Sequence, residues 1–413
     1  MKMNFRPELV VPAQDWNSLE VISGITDAIY FGVQKYNMRI KANNFKKDDL
    51  KKVAEFCHNQ NPSINCYLAT NILIYDSELQ ELEDLISLAR DSGIDAIIAH
   101  DIAAIRIAKR MNIEFHISTQ ANVSNIEAAK FYEELGANRL ILARELSLKQ
   151  IKIIKNNLKS AKIECFVHGS MCTSISGRCY FSATLCDSEE YSANRGNCVQ
   201  PCRREWKVID DENNEFIYDG QMFLNSKDLC MIEYIPQLIN AKIDAFKIEG
   251  RMKDPVYIKT VTECYKEAID SYLNESYNKE RIGIWLKRLS TVYNRGFHTG
   301  FYFHRPTIED IELKKRGNIS PYKKRYIGKI LSFNKQSKSA NVLIENLGIP
   351  LKINDEILII GENRYLIDKI KKIIYKGEKV KRIFRIQDNS PIKVNLRIEK
   401  CEKNDKIYII SKT

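Results

Sequence analysis

The sequence lacks any hydrophobic run close to the roughly 20 apolar residues that a membrane-spanning helix needs. Its first residues, Met1 to Pro12, contain no apolar core leading to a small-residue cleavage site, so a secretory signal is not expected. We find no internal repeat. These absences predict a cytoplasmic protein with no membrane partner.

Several motifs of enzymes and binding proteins are also missing. No GxGxxG follows a predicted strand, so the dinucleotide-binding fingerprint is absent. Neither HExxH nor GxSxG occurs, and the sequence therefore offers no mechanism for a zinc protease or a serine hydrolase. The cysteines form no close CxxC pairs, so structural zinc is not indicated.

The chain has 413 residues, 44% of them hydrophobic, which allows two to four domains with large cores. Its net charge of +11 is uneven along the chain. From Lys314 to Thr413 there are 25 Lys or Arg against 10 Asp or Glu, or +15, and the remainder has 39 against 43, or −4. A basic module on a near-neutral body predicts a polyanion partner held by phosphate contacts. The alternative is a merely lysine-rich composition.

The first 250 residues alternate short apolar segments with amphipathic ones. The predicted strands are Glu8 to Ala13, Ala28 to Phe31, Ile64 to Leu68, Ala96 to Ala99, Glu114 to Ser118, Arg139 to Ala143, Ile163 to Val167 and Ala245 to Ile248. The helices predicted between them are Lys47 to Asn59, Ser77 to Ser92, Ile102 to Met111, Ile126 to Leu135 and Leu148 to Leu158. Eight strands in this alternation favour an α/β fold, a TIM-type (β/α)8 barrel, over an open doubly wound sheet.

The predicted barrel domain covers residues 1–306, with a cysteine-rich insertion at about 169–230 and closing helices from Val256 to Asn274 and Lys279 to Val292. Residues 307–321 are predicted to be a linker. Residues 322–413 are predicted to form a small, basic all-β barrel that binds RNA. Its predicted strands are Tyr326 to Phe333, Ser339 to Ile344, Glu356 to Ile360, Val380 to Ile386 and Ile407 to Ile410.

Seven of the eleven cysteines lie between Cys165 and Cys230. Clustered thiols in a reducing compartment are more often metal ligands or redox groups than disulfides, and their wide spacing suits an iron-sulfur cluster better than zinc. Cys165 lies in an apolar strand and Cys186 runs into an acidic stretch, so both are weaker candidates. Spacing leaves five candidate ligands: Cys172, Cys179, Cys198, Cys202 and Cys230.

Polar residues that follow the predicted strands should meet at one mouth of a barrel. His168 follows the seventh strand, where an imidazole can transfer a proton near neutral pH, unless it only hydrogen-bonds the cysteine-rich loop. Glu249 ends the eighth strand and is the best carboxylate candidate, ahead of Glu164. Tyr30 is a candidate for stacking on a base, although aromatic residues beside strands usually pack in the core.

Several segments together carry a family resemblance. They are ECFVHGSMC from Glu164, SGRC from Ser176, ANRGNCVQPCR from Ala193, NSKDLC from Asn225, FKIEGRMK from Phe246 and, nearer the N-terminus, NMRIKANNF from Asn37 and STQANVSN from Ser118. With these motifs the sequence resembles the collagenase-like U-32 peptidase family over nearly its whole length. The family includes oxygen-independent hydroxylation proteins that act on tRNA and rRNA.

The length, with one barrel and one compact basic domain, is similar to that of family members that hydroxylate tRNA in a prephenate-dependent reaction. The resemblance therefore implies an enzyme that hydroxylates the C5 position of the wobble uridine in the anticodon loop of tRNA. The alternatives are a U-32 peptidase, an rRNA hydroxylation factor and a non-catalytic RNA-binding carrier of a cluster. The sequence does not identify the electron donor that such chemistry requires.

The resemblance implies a 4Fe-4S cluster on Cys172, Cys179, Cys198 and Cys230, with Cys202 in reserve. It also implies a site for prephenate, a small dicarboxylate, near the barrel mouth. The candidate binding residues are Arg144, Arg178, Lys247, Gln120 and Tyr30, and the candidate catalytic residues are His168, Glu249 and Arg251. Arginine suits a carboxylate because its planar fork binds both oxygens. The alternative is that Arg144 pairs with Glu145 and Arg251 with Glu249.

Overall fold

The structure, a computed structural model, describes residues 5–176, 178–216, 222, 224–361, 364–384 and 391–412. Gly177 of the SGRC segment and residues 385–386 of a predicted strand lie outside the described residues. The chain divides into two compact units, Met1–Ile319 and Ser320–Thr413. Within the described part of the chain, no helix has the length and apolar character to cross a membrane.

The described part of the first unit contains strands β1 to β12. In chain order they are β1 Glu8–Pro12, β2 Ala28–Phe31, β3 Asn65–Thr70, β4 Ala96–Ala99, β5 Glu114–Ile117, β6 Arg139–Ile141, β7 Lys162–Ser170, β8 Val208–Ile209, β9 Glu215–Phe216, β10 Asp228–Cys230, β11 Ala245–Ile248 and β12 Phe297–His298. Strands β1 to β7 pair in parallel in sequence order, and β11 pairs with both β1 and β7. The sheet therefore closes into the eight-stranded barrel predicted from the sequence.

Helices lie at all seven segments predicted from the apolar periodicity, and the described part of the first unit has three further short helices, over 16–22, 181–186 and 235–240, that were not predicted. In chain order the helices are α1 Trp16–Ile22, α2 Leu50–His58, α3 Leu79–Asp91, α4 Ile102–Arg110, α5 Ile126–Glu134, α6 Leu148–Asn157, α7 Phe181–Cys186, α8 Ile235–Asn240, α9 Pro255–Leu273 and α10 Lys279–Thr291. Side-chain caps fix several starts: Asp15, Ser147 and Asp254 each accept a backbone N–H of the first turn. The resulting connections place the strand ends of the barrel mouth at fixed positions.

An ion network lies inside the barrel below the mouth. The Glu164 carboxylate accepts hydrogen bonds from Lys247 at 2.6 Å and Arg139 at 3.0 Å, and Arg139 also pairs with Glu8. Glu8 on β1 and Arg139 on β6 belong to strands that are not neighbours, so these side chains meet across the interior. Glu164 is fully buried, and Arg139 and Lys247 are nearly so. The hydrogen bond to Glu164 therefore holds the Lys247 ammonium group in position at the base of the mouth.

The segment between β7 and β11 carries the cysteines. Its helix α7, the two-stranded β8–β9 hairpin and several 3-10 turns precede β10, which pairs antiparallel to β7. Arg203, buried in this insertion, donates to the carbonyl oxygens of Met171 and Ser226 and to the amide oxygen of Asn225. Arg203, from the middle of the insertion, thus connects the segment that follows β7 to the segment that precedes β10.

The second unit is an antiparallel β structure. Its strands are β13 Tyr322–Asn334, β14 Ser339–Ile344, β15 Leu351–Lys352, β16 Glu356–Gly361, β17 Arg364–Lys369, β18 Lys372–Tyr375, β19 Glu378–Val380, β20 Arg382–Ile383, β21 Ile392–Arg397 and β22 Lys406–Lys412. Eight of them form one sheet in the order β17-β16-β22-β13-β14-β21-β18-β19. Alternating apolar residues such as Ile330, Val342 and Leu396 form its separate core. The sequence placed one strand over 380–386, where the structure has β19 and β20.

Candidate functional site

A cavity opens at the carboxyl ends of the barrel strands and is called the mouth cavity below. Its volume is about 510 Å³ when the space open to solvent is included. Its described lining consists of Tyr30, Met38, Arg39, Ala69, Asn71, Ile98, Ser118, Thr119, Gln120, Ile141, Arg144, Phe166, Lys247, Glu249 and Arg251. Four of these side chains are cationic and one is a carboxylate, so the cavity favours an anionic ligand.

Glu249 lies at the edge of the mouth cavity and is held by an arginine that the sequence analysis did not single out. Arg39 Nη2 donates to Glu249 Oε1 at 3.2 Å. Burial alone would raise the pKa of Glu249, but Arg39, Lys253 and Arg144 lower it overall. The carboxylate is therefore charged at neutral pH. Arg39 could have been singled out from the sequence, because it lies in the NMRIKANNF segment, one of those that carry the family resemblance.

Arg251 and Arg144 face the mouth cavity, and neither has a carboxylate partner among the described residues. Arg251, 2% exposed, donates to the amide oxygens of Asn37, at 2.9 Å, and Asn44, and its buried Nε has no partner. Burial lowers the pKa of Arg251 to about 10, so it stays charged at neutral pH. Arg144 donates to a backbone carbonyl at 3.2 Å, and its guanidinium lies 4.9 Å from the centre of the Phe166 ring.

The alternative pairings of these arginines are not found among the described ion pairs. Glu249 is paired with Arg39. Glu145 instead accepts hydrogen bonds from the backbone and hydroxyl of Ser176. Two guanidinium groups thus remain available to a ligand in the mouth cavity.

Three further residues predicted to bind substrate also line the mouth cavity. The Tyr30 hydroxyl donates to the carbonyl of Ile248 at 3.0 Å, and the Lys247 ammonium lies 4.0 Å from the centre of the Tyr30 ring. Lys247 also forms an ion pair with Glu164, which partly neutralises the positive charge of Lys247. Gln120 is 8% exposed, and its side-chain oxygen is buried without a partner. Gln120 therefore has a free acceptor beside the cavity.

Arg178, the fifth predicted binding residue, is exposed and is not part of the described cavity lining. Its charge acts instead on His100, whose pKa is lowered mainly by burial and also by Arg178. The structure thus does not bring Arg178 together with the other predicted binding residues.

Two residues that the sequence analysis did not predict, Asn71 and Ser118, also line the mouth cavity. They are joined by a hydrogen bond of 3.3 Å.

His168 does not face the mouth cavity, contrary to the expectation of a catalytic base there. Its ring packs against Tyr257, Tyr265 and Phe297 and contacts the Tyr265 hydroxyl at 3.3 Å. Burial lowers its pKa to about 3, so the imidazole is neutral. The cause is an irregularity in the β7–β11 pairing. Lys247 and Ile248 are consecutive on β11, but their partners on β7, Phe166 and His168, are separated by one additional residue. The extra residue reverses the alternation of faces.

Four thiols of the insertion form a group, called the thiol group below: Cys172, Cys179, Cys198 and Cys202. Burial is the main cause that raises the pKa of Cys198 and of Cys202, and in each case the nearby thiols of Cys172 and Cys179 raise it further. The Gln200 amide donates to Cys198 Sγ at 3.2 Å. All four cysteines are free, and Cys172 is exposed.

One member of the thiol group, Cys172, lies near the mouth cavity. Burial alone would lower the pKa of Arg39, but the pKa is raised overall, foremost by Glu249 and also by the Cys172 thiol. Cys172 is therefore within electrostatic reach of the Arg39–Glu249 pair.

Cys230, which the family resemblance implies as a cluster ligand, is buried against α9. It is 6% exposed, its backbone pairs with His168, and its sulfur lies 3.9 Å from the Tyr265 hydroxyl against α9. Burial raises its pKa to about 12. Cys202, the reserve candidate, takes the fourth place in the group.

Close backbone approaches hold the thiol group in position. Gly196 has φ +87°, and a Cβ there would lie 2.3 Å from the carbonyl oxygen of Asn37. Arg195 beside it makes two hydrogen bonds to Glu78, of 2.5 and 2.9 Å, and Asn194 accepts the backbone N–H of Cys179 at 3.0 Å. The NRG segment thus anchors the loop of Cys198 to the loops after β2 and β3.

The residues present fit an iron-sulfur cluster better than a single metal ion. Four thiolates from separate loops are the usual ligands of a 4Fe-4S cluster. Among the described residues, no three of these sulfurs lie within 4.8 Å of one another. Ligands of one tetrahedral zinc ion would lie roughly 3.8 Å apart. The described sulfurs are therefore not arranged around a single zinc ion.

The barrel, its cysteine-rich insertion and the cavity match a known family. The model of peptidase family U32 matches residues 15–312, and the chain belongs to this family.

Named relatives fall into two groups. A protein of Methanocaldococcus jannaschii, named as an uncharacterized protease, is 38% identical over 98% of each chain. A protein of Porphyromonas gingivalis, named collagenase, is 37% identical over 98% of each chain. The tRNA hydroxylation protein P1 of Bacillus subtilis is 32% identical over 86% of this chain and 84% of its own.

Proposed function

We propose that the protein hydroxylates C5 of the wobble uridine in tRNA, with prephenate as co-substrate and a 4Fe-4S cluster on Cys172, Cys179, Cys198 and Cys202. The observation that carries the proposal is the thiol group beside a cationic cavity. In the reaction the base gains one oxygen atom and loses two electrons, and the co-substrate undergoes the opposite change in place of molecular oxygen. The cluster, when bound, supplies one-electron chemistry.

The charges of the mouth cavity support a dicarboxylate ligand. Arg144 and Arg251 have no carboxylate partner in the described part of the chain, and each guanidinium can donate two parallel hydrogen bonds to one carboxylate. Glu249 is neutralised by Arg39 and so opposes an anion less. A ligand with two carboxylates would satisfy both arginines and the partnerless Nε of Arg251.

A buried amide oxygen without a partner supports recognition of a base in the same cavity. The Gln120 oxygen can accept from the N3–H of a uracil, and Asn71 belongs to the same lining. An anticodon-loop base is already partly unstacked, so placing it in a protein pocket costs little.

The second unit supports an RNA partner through its charge. Residues 320–413 contain 22 Lys or Arg against 10 Asp or Glu. Four exposed cations lie on and after the β18–β19 hairpin, Lys376, Lys379, Lys381 and Arg382, and none pairs with a described carboxylate. We call these four residues the hairpin patch. Phe384, 60% exposed, lies 4.4 Å from the Arg382 guanidinium and offers a stacking surface.

A strain without the gene should lack 5-hydroxyuridine, and nucleosides built on it, in its tRNA. The measurement is mass spectrometry of tRNA nucleosides. A plasmid with the wild-type gene should restore them, whereas Arg144→Gln should restore about 10-fold less, because a charge-assisted hydrogen bond contributes about 1.5 to 3 kcal/mol.

Arg106→Gln is the matched control, because this exposed arginine lies on α4 and away from the described cavity lining. It should restore modification fully. An unchanged tRNA in the deletion strain would overturn the proposal, and loss of a hydroxylated nucleoside from rRNA instead would identify the rRNA alternative.

Charge reversal of the hairpin patch should weaken tRNA binding. Lys376→Glu with Lys379→Glu removes contacts to phosphates, so affinity should fall and the dependence of log K on log salt should become shallower by about two. Filter binding over a salt series measures both. Lys149→Glu with Lys152→Glu, on exposed positions of α6, is the control and should change neither. Equal effects of both pairs would show that binding depends only on net charge.

Peptide hydrolysis is the second candidate, and the relatives named protease and collagenase favour it. The described lining of the mouth cavity contains no histidine or cysteine, and its hydroxyls at Ser118 and Thr119 are bonded to Gln120 and to the backbone of Leu142. A nucleophile paired with a base is therefore absent from that lining. Cleavage of denatured collagen by the iron-free protein, and not by Arg144→Gln, would favour this candidate.

A further inference from the structure

A second group of metal-ligating side chains lies at the opposite end of the barrel from the mouth cavity. His58 ends α2, Cys66 is the second residue of β3, and Asp95 immediately precedes β4. Among the described residues, this is the one set of three in which His, Cys or carboxylate ligand atoms all lie within 4.8 Å of one another. The three residues come from separate elements, so the fold and not the local sequence brings them together.

The separations between the ligand atoms are close to those around one metal ion. His58 Nε2 lies 3.0 Å from Asp95 Oδ2, Cys66 Sγ lies 3.3 Å from the same oxygen, and Cys66 Sγ lies 4.0 Å from His58 Nε2. Bond lengths of about 2.0 to 2.3 Å at tetrahedral zinc put neighbouring ligand atoms roughly 3.3 to 3.8 Å apart. Shifts of half an ångström would therefore complete the geometry.

The same geometry argues against a catalytic relay of cysteine, histidine and aspartate. In such a relay the thiol and the carboxylate contact different nitrogens of the imidazole. Here Cys66 Sγ and Asp95 Oδ2 both approach Nε2 of His58. The sulfur, the carboxylate oxygen and the imidazole nitrogen therefore surround one point, as the ligands of a metal ion do, and do not form a path for proton transfer.

We propose that His58, Cys66 and Asp95 bind one zinc ion, with the fourth coordination position open to solvent. One thiolate, one imidazole and one carboxylate are the ligand types that zinc prefers. The side chains of His58 and Asp95 are 39% and 34% exposed, which gives the ion a path from solvent and leaves room for a water ligand. The bound ion would join the end of α2 to the starts of β3 and β4, and so stabilise the closed end of the barrel.

The test is the zinc and iron content of the anaerobically purified protein after dialysis against dilute zinc, measured by plasma mass spectrometry. Wild type should carry about one zinc ion more per chain than His58→Ala, with iron unchanged. His58 is exposed, so its replacement should leave the fold intact. His304→Ala is the matched control, because His304 is also exposed and contacts Asp310 at 3.2 Å without a nearby thiol, and it should keep the zinc.

Cobalt provides an independent measurement. Replacing zinc with cobalt should give the visible absorption of a tetrahedral ion and a thiolate charge-transfer band, and Cys66→Ala should abolish the band. Cys264→Ala, which removes a buried thiol elsewhere, should retain it. A variant with alanine at all four positions of the thiol group should also retain it, since the two sites are separate. Equal zinc in wild type and His58→Ala, or no zinc in either, would overturn the proposal.

Discussion

Replacing Cys202 with alanine is expected to remove the iron and the acid-labile sulfide from the anaerobically purified protein, whereas Cys230→Ala keeps both at about four atoms per chain. The reason is placement: Cys202 lies with Cys172, Cys179 and Cys198, and Cys230 is buried against Tyr265 of α9. A cluster that has lost one of its four thiolate ligands is not expected to be retained. Iron and sulfide assays with the visible absorption spectrum measure the outcome.

Cys186→Ala is the control for this comparison, because Cys186 lies at the end of α7 in the same insertion but outside the thiol group. It should behave as the wild type does. Retention of iron by Cys202→Ala together with its loss from Cys230→Ala would restore the ligand set that the family resemblance implied. A wild-type protein without iron under strictly anaerobic conditions would reject the cluster altogether.

Glu164→Gln is expected to lower the free energy of unfolding by about 3 to 5 kcal/mol. The substitution removes the carboxylate that neutralises Lys247 and shares Arg139 with Glu8, and leaves buried positive charge without compensation. Urea unfolding followed by tryptophan fluorescence reports on the barrel, because Trp16, Trp206 and Trp285 all lie in the first unit.

Two comparisons isolate the charge effect. Adding Lys247→Met to Glu164→Gln should recover part of the lost stability, since the uncompensated ammonium is removed as well. Glu55→Gln, which breaks an exposed pair with Lys51 on α2, should change stability by less than about 1 kcal/mol. A loss below 1 kcal/mol for Glu164→Gln would mean that water or a shifted side chain satisfies Lys247.

The stability that Glu164 contributes should depend on pH in a defined direction. Burial alone would raise its pKa, but Lys247 and Arg139 lower it overall. A lowered carboxyl pKa gives a contribution that is complete above the ordinary glutamate value of about 4.3 and is lost as pH falls. The difference between wild type and Glu164→Gln should therefore shrink on acidification. Burial lowers the pKa of Lys247, so its contribution also makes stability rise with pH, but in the alkaline range just below the ordinary lysine value of about 10.4.

Sequence patterns predicted the barrel and its mouth well. Strands such as Ala28–Phe31, Ala96–Ala99 and Ala245–Ile248 lie where the short apolar segments predicted them, because strand formation depends on apolar runs a few residues long. Parallel strands place their carboxyl ends together, so Glu249 and Arg144 could be assigned to one mouth from their positions alone. The excess of basic residues after Lys314 is likewise a property of the sequence.

The tertiary structure, and not the local sequence, decided which side chains contact one another and which of them face the mouth cavity. The single extra residue between Phe166 and His168 in the pairing with β11 turned His168 away from the cavity, and no local pattern marks such an irregularity. The insertion between β7 and β10 lets several cysteines reach one point, so spacing alone could not choose between Cys202 and Cys230. The insertion folds onto the loops after β2 and β3, and Cys198 and Cys202 lie near Cys172 and Cys179.

The sequence by itself therefore determined the eight-stranded barrel, the location of its mouth and the basic character of the second unit, because periodicity and composition act over neighbouring residues. Only the tertiary structure decided which four thiols form a group, that Arg144 and Arg251 have no carboxylate partner among the residues it describes, and that His58, Cys66 and Asp95 meet. These contacts join residues far apart in the chain. Their geometry depends on strand register and loop packing, which local sequence does not specify.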